Sequence, residues 1–224
     1  PDPEKRDFLN YEVVFRSLGD VDPKIIIEIF KRINLTQYSL EQVEIQNAVY
    51  DGEFITTAKE ISKKINLNDF PAFTESRILR MADLDFVLLL MSTIENGGYF
   101  NRDSKVEEFI INYNDSYKKS EIVKDGLISI VDRLKNLELE IDSIWYRKSN
   151  LFTLIIELYL HKDSIEPSKL KEKLIDFEKQ ILKNRGTETS ENDFSTYYSY
   201  MYAGTTSRQA RVTRGNLFQK YILS

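Results

Sequence analysis

The chain has 224 residues, of which 42% are hydrophobic and 30% charged, with a formal net charge of −5. That composition supports one large core or two small ones and excludes a disordered chain and a uniformly basic, phosphate-binding surface. With no cysteine and one histidine, His161, it also excludes disulfides, thiolate metal sites, a Cys nucleophile and a two-imidazole zinc site, and it weakens any Ser/His triad.

No apolar run approaches the roughly 18 to 20 residues of a membrane span. The longest candidate is Phe86–Met91, and no basic-then-apolar leader opens the chain. A cytoplasmic protein is expected.

Tyr11–Leu18 (YEVVFRSL) is short and rich in β-branched and aromatic residues, which predicts a strand. A lone strand cannot satisfy its own N–H and C=O groups. Its partners are therefore expected in a portion preceding Pro1, and residues 1–21 are read as strand and linker belonging to that portion of a longer protein.

Residues 22–54 organise the remainder of the chain. Asp22 and Pro23 predict a helix start. Ile25, Ile26, Ile27, Ile29, Phe30 and Ile33 surround most of that helix, which predicts a buried one. After a break at Asn34–Tyr38, Ser39 and Gln42 have capping-box spacing and Gly52 is a stop signal.

On this second helix Leu40, Val43, Asn47 and Tyr50 share a face, with Glu44 in the same stripe. A carboxylate there needs a partner. Arg32, one loop away, would staple the two helices; alternatively Arg32, Asn34, Glu44 and Asn47 line a ligand site on a neighbouring domain. The spacing is compatible with both.

Further along, Phe54, Ile55, Ala58, Ile61 and Ile65 predict a helix over Glu53–Ile65. Thr74–Ile94 reads as two helical pieces meeting near Ala82 and Asp83, with Asp83 as a cap and Phe86–Met91 in the centre of the core. Capping and dipole compensation account for Asp83 and Asp85 without a metal, since no third carboxylate lies nearby in sequence.

Asn96-Gly97-Gly98 is a turn without the lysine or the setting of a phosphate loop. A helix is predicted from about Ser104 through Tyr113. A long one follows over Lys118–Leu139, on a stripe that includes Ile122, Val123, Leu127, Ile130, Val131, Leu134 and Leu137.

Asn150 is expected to cap a helix running to Leu160, with His161 at its C-terminal end, where a cation suits the dipole. A half-exposed helix over Ser168–Lys183 and a joint over Asn184–Asn192 complete a helical domain of residues 22–183 and a tail of residues 184–224.

In the tail, Phe194, Tyr197, Tyr198 and Met201 form a stripe that suits core packing better than base stacking, since no basic groove accompanies it on its own helix. Arg208, Arg211, Arg214 and Lys220 then follow without an acid. They can contact nucleic-acid phosphates or pair with acidic helices of their own domain, because the same segment has an apolar side. The expected fold class is mainly α, a multi-helix orthogonal bundle with at most one or two short strands near the N-terminus.

Phe30-Lys31-Arg32-Ile33-Asn34, then Leu40 through Glu44 to Asn47-Ala48-Val49-Tyr50 and Gly52, resembles the opening signature of the GmrSD-type restriction endonuclease N-terminal domain family. Arg80-Met81-x-Asp83, Trp145 with Arg147-Lys148 and Leu151-Phe152, and Arg211–Leu223 resemble later landmarks of that family in the same order. The resemblance spans essentially the whole chain, and its first block is the most specific.

It implies a prokaryotic protein of defence against foreign or modified DNA, with a ParB-like front carrying an Asp-Gly-Gln-Gln-Arg motif for nucleotide hydrolysis and, in many members, an HNH nuclease. This chain has neither motif. The resemblance therefore implies the helical, non-catalytic part, with NTP and Mg belonging to the full-length parent and no cofactor here. It implies as partners a missing N-terminal nucleotide-binding domain and DNA, with Arg32 and Asn34 reaching toward the nucleotide. A stand-alone protein-interaction module using the Phe194–Tyr202 surface, and a nucleic-acid binder using the C-terminal arginines, are the competing expectations.

Overall fold

The structure, a computed structural model, describes residues 3–12, 14–15, 17, 19, 21–22, 25, 29, 40–162, 167–186 and 192–224. It divides into two compact units, Pro1–Leu40 and Glu41–Ser224. The described residues carry helices and no strand, so the chain is all-α, as its periodicity predicts.

In the first unit, α1 spans Pro3–Leu9, within the residues 1–21 expected to be strand and linker. The strand expected over Tyr11–Leu18 is not formed by its described residues: Tyr11, Glu12, Val14, Phe15 and Ser17 adopt no regular structure. The physical reason is that a lone strand cannot satisfy its own backbone, and no second strand among the described residues supplies a ladder. Ile25 and Ile29 are helical, as expected after Asp22, but Ile25 is exposed rather than buried.

The second unit is built from α2 (Gln42–Val49), α3 (Glu53–Ile65), the four-residue α4 (Glu75–Ile78), α5 (Ala82–Glu95), α6 (Arg102–Asn112), α7 (Ser120–Lys135), α8 (Lys148–Leu160), α9 (Pro167–Lys183), α10 (Asp193–Tyr202) and α11 (Arg208–Phe218). Two of these are apolar almost all round and form the centre. Every residue of α5 from Phe86 to Thr93 is buried, as is every residue of α8 from Asn150 to Leu158. Helices of that kind must be covered on every side.

Helices α3, α2, α4 and α6 cover α5, and α7 and α11 cover α8, with α5 and α8 also in contact. Amphipathic α3 presents Phe54, Ile55, Ala58, Ile61 and Ile65, all 0% exposed, and its bounds agree with those its periodicity predicts. In α7, Val123, Leu127, Val131 and Leu134 are buried, whereas Ile122 is 70% exposed. It lies off the stripe that faces α3.

Asn150 lies inside α8, not at its cap, which is Arg147. Fully buried, Asn150 donates Nδ2 to the Ile144 carbonyl at 2.8 Å. Gly52 likewise does not terminate α2 but caps the start of α3, at φ −72°. A Cβ there would lie 2.2 Å from Asn114 Oδ1, so glycine is required by close approach. The neighbouring Glu53 N–H donates to the Asn114 carbonyl at 2.8 Å across the same contact.

Around the 3-10 turn Ile144–Tyr146, Trp145 is 0% exposed and donates Nε1 to the Leu174 carbonyl at 3.0 Å. Its ring meets Phe177, Tyr197 and Phe218, which ties α9, α10 and α11 to the start of α8. Trp145→Ala is expected to lower the unfolding free energy by about 3 to 5 kcal/mol, through lost transfer energy plus a cavity. Ile122→Ala should stay within about 0.5 kcal/mol. Urea unfolding followed by circular dichroism measures both, and equal effects would contradict this placement of the core.

Candidate functional site

Helix α2 begins at Glu41, whose backbone N–H donates to Glu44 Oε2 at 2.6 Å. The reciprocal cap is thus Glu41 with Glu44, two residues beyond the expected Ser39 and Gln42; Gln42 is already helical, and Ser39 lies outside the described residues. Val43 and Gln46 face inward, and Glu44 and Asn47 are half-buried beside them.

Glu44 is gripped by Arg80. The guanidinium donates Nε to Oε1 at 2.9 Å and Nη2 to Oε2 at 2.8 Å, the two-pronged geometry in which arginine and carboxylate pair best. The Glu44 side chain keeps 14% of its exposure and that of Arg80 48%. Arg80 precedes Met81, a non-glycine residue in the left-handed region at φ 57°, a conformation that costs on the order of 1 kcal/mol and persists where its surroundings fix it. That turn separates α4 from α5 and holds Arg80 over α2.

The hydrogen bond from Arg80 is the main reason the Glu44 carboxyl lies below its ordinary range; partial burial opposes it. Of the expected polar cluster, Glu44 and Asn47 lie on α2, and Arg32 and Asn34 fall outside the described residues.

Arg80 of this pair lines a cleft of about 730 Å³, together with Glu41, Gln42 and Val43, the neighbours of Glu44. Glu107 of α6 enters it, accepting from the Tyr50 hydroxyl at 3.0 Å and from Gln42 Nε2 at 3.4 Å. Burial and that carboxylate push the Tyr50 hydroxyl up to about 12. Asp85 of α5 meets Lys148 of α8 at 3.3 Å on the cleft wall.

The ionisable lining is Glu41, Asp85 and Glu107 against Arg77, Arg80 and Lys148, an even balance of sign. Such a cleft suits a polar protein segment better than a polyanion. Asp83 accepts from the Ser62 hydroxyl instead of capping α5. Among the described residues no group of three or more His, Cys, Asp or Glu converges to hold a metal ion.

The C-terminal basic residues do not form one surface. Arg211 and Arg214 are 2% and 1% exposed. Arg211 Nη1 donates to the Phe100 carbonyl at 2.7 Å, with its guanidinium 5.0 Å from the Phe152 ring centroid. Arg214 donates to Thr153 Oγ1 at 3.1 Å and to the Tyr200 and Thr205 carbonyls at 2.7 and 3.2 Å, and burial pulls its pKa below the usual guanidinium value.

These two therefore brace the interior, which corrects the expectation that they reach nucleic-acid phosphates. Arg208 and Lys220 are exposed. The first donates Nε to the Tyr99 carbonyl at 3.1 Å, and the second pairs with Asp193 at 2.7 Å. The aromatic stripe is core, with Tyr197 and Met201 buried; Tyr202, off the stripe, is 51% exposed.

Sequence reading missed the buried carboxylate Glu157, which accepts from the Tyr99 hydroxyl at 2.6 Å and from Gln219 Nε2 at 2.8 Å. Its signal was an acid in the middle of the apolar run of α8. Compared with protein-family models, with curated proteins and with solved structures, the chain matches none. Among the described residues no helix is long and apolar enough to cross a membrane.

Arg214→Ala should lower the unfolding free energy by about 3 kcal/mol or more, because it leaves buried acceptors from three segments without their donor. Arg208→Ala should cost far less, and a calorimetric comparison giving similar losses would contradict the bracing role. For Glu44, a folded pKa below the unfolded one means that the stabilisation from the Arg80 pair is present above the ordinary carboxylate range and fades as pH falls through the folded pKa. Carbon-detected NMR titration should find Glu44 below its usual value, and Arg80→Ala should return it upward.

Proposed function

We propose that this chain is the helical, non-catalytic part of a prokaryotic nucleotide-dependent DNA-restriction protein, in which the Glu44–Arg80 cleft braces or regulates a nucleotide-binding domain. The observation that supports this reading is the meeting of two landmarks of the GmrSD-type resemblance. Glu44 and Arg80 are 36 residues apart in sequence and joined by two hydrogen bonds in space. Tyr50, from the same opening block, fixes Glu107 on the cleft wall.

A charge-balanced cleft is suited to docking a protein segment through matched polar contacts, which give register and specificity more than raw affinity. Under this reading NTP and Mg are handled by the nucleotide-binding domain, and no side chain of this chain is assigned to hold them. The competing nucleic-acid reading through the C-terminal helix loses its ground with Arg211 and Arg214 inside the core.

The first check is the coding frame upstream, where an Asp-Gly-Gln-Gln-Arg segment is expected. In the protein that includes it, Arg80→Ala should slow nucleotide turnover about ten- to a hundredfold, the scale of a positioning defect. The present chain alone should neither hydrolyse nucleotides nor cut DNA. Turnover unchanged by Arg80→Ala in a folded protein, or intrinsic cleavage by this chain, overturns the reading.

A further inference from the structure

A second depression, of about 440 Å³, adjoins the cleft and shares Arg77 and Lys148 with it. Its walls come from three places: the Pro71–Ala72 turn with α4, the segment from Ile141 through the 3-10 turn into α8, and the end of α10 with Thr205. Here the charges do not balance. Arg77, Arg147 and Lys148 face Asp142 alone.

Lys148 is shared with Asp85. Arg77 and Arg147 are exposed, and neither has a carboxylate partner among the described residues. The helix that carries two of these cations does not itself favour them there. Arg147 is the N-cap and Lys148 the first residue of α8, whose first turn holds no acid. Cations at that end oppose the helix dipole, and a Ser, Thr, Asp or Asn cap would be preferred.

The groove also has an aromatic support. The Arg147 guanidinium carbon sits 3.9 Å from the ring centroid of Tyr202, which is 51% exposed and backed by Tyr198 at 4.9 Å. A guanidinium held against a ring offers a flat, cationic platform of the kind on which unpaired bases stack. Exposed arginines beside a stacking platform match the needs of a strand whose phosphates and base faces are both accessible. Bases within a duplex show only their edges in the grooves.

We propose that this groove binds single-stranded nucleic acid, with phosphates on Arg77 and Lys148 and a base stacked on the Arg147–Tyr202 pair. The site stands apart from the restriction-protein reading, and either can fail without the other.

Fluorescence anisotropy of a labelled oligodeoxythymidylate with the intact chain tests it, with thymidine monophosphate, inorganic phosphate and a duplex as competitors. Binding should weaken as salt rises. Arg77→Glu and Arg147→Glu should each weaken it about tenfold or more. Tyr202→Ala should do the same while Tyr202→Phe retains binding, with circular dichroism confirming that each variant is folded.

Competition by the oligonucleotide far stronger than by the monophosphate supports a strand site. Equal competition by the monophosphate, by phosphate alone or by the duplex overturns it. So does an absence of binding, or binding that the charge reversals leave unchanged.

Discussion

Helix α8 places Asn150, Thr153 and Glu157 in the interior, each at 1% exposure or less, and side chains from the elements around it answer Thr153 and Glu157. A buried polar group left without a partner costs about 1 to 3 kcal/mol. Arg214 answers Thr153 from α11, and its remaining donors reach carbonyls at the end of α10 and in the turn after it. One guanidinium thus ties three segments together. One turn further along α8, Glu157 takes donors from Tyr99 and Gln219, with His161 Nε2 at 3.5 Å on the rim.

These contacts require α11 to approach α8 closely, which accounts for Gly215. A Cβ at that position would meet Glu157 Oε1 at 2.4 Å and Tyr99 Cε2 at 2.7 Å. Glycine inside a helix costs about 0.5 to 1 kcal/mol against alanine, and the close approach outweighs that cost. The acid-free C-terminal stretch is therefore spent partly on the inside: two of its cations hold the bundle together, and two lie on the surface.

Periodicity made the helices legible because burial repeats with the turn of a helix. The five apolar positions of α3, the apolar run Phe86–Met91 of α5 and the largely apolar α8 could be read directly. What failed were features decided by long-range partners. Asn150 has the chemistry of a cap, but the chain enters α8 two residues earlier and its amide is needed by Ile144. Tyr11–Leu18 has the composition of a strand without a ladder partner among the described residues. Glu44 was correctly seen to need a cation, but spacing offered only near neighbours, whereas Arg80 arrives through a left-handed turn at Met81 that no periodicity announces. The C-terminal arginines misled for a related reason. A guanidinium satisfied by backbone carbonyls leaves no acid in the sequence to mark it as internal.

The same logic separates the two surface features. In the cleft, carboxylates from the cap of α2 and from α5 and α6 offset cations from α4, from the turn before α5 and from α8, so a docking segment would exchange matched polar contacts for water at little net electrostatic gain. That exchange favours register over affinity, which is what a brace needs. Beyond Lys148 the carboxylates thin out to Asp142, while the cations continue through Arg147 onto Tyr202. An anion there meets little repulsion and a preset stacking surface. Because Arg77 and Lys148 belong to both walls, an occupant of the groove would draw on cations that also balance the cleft, and the two sites would be coupled through shared charge without any movement of the helices.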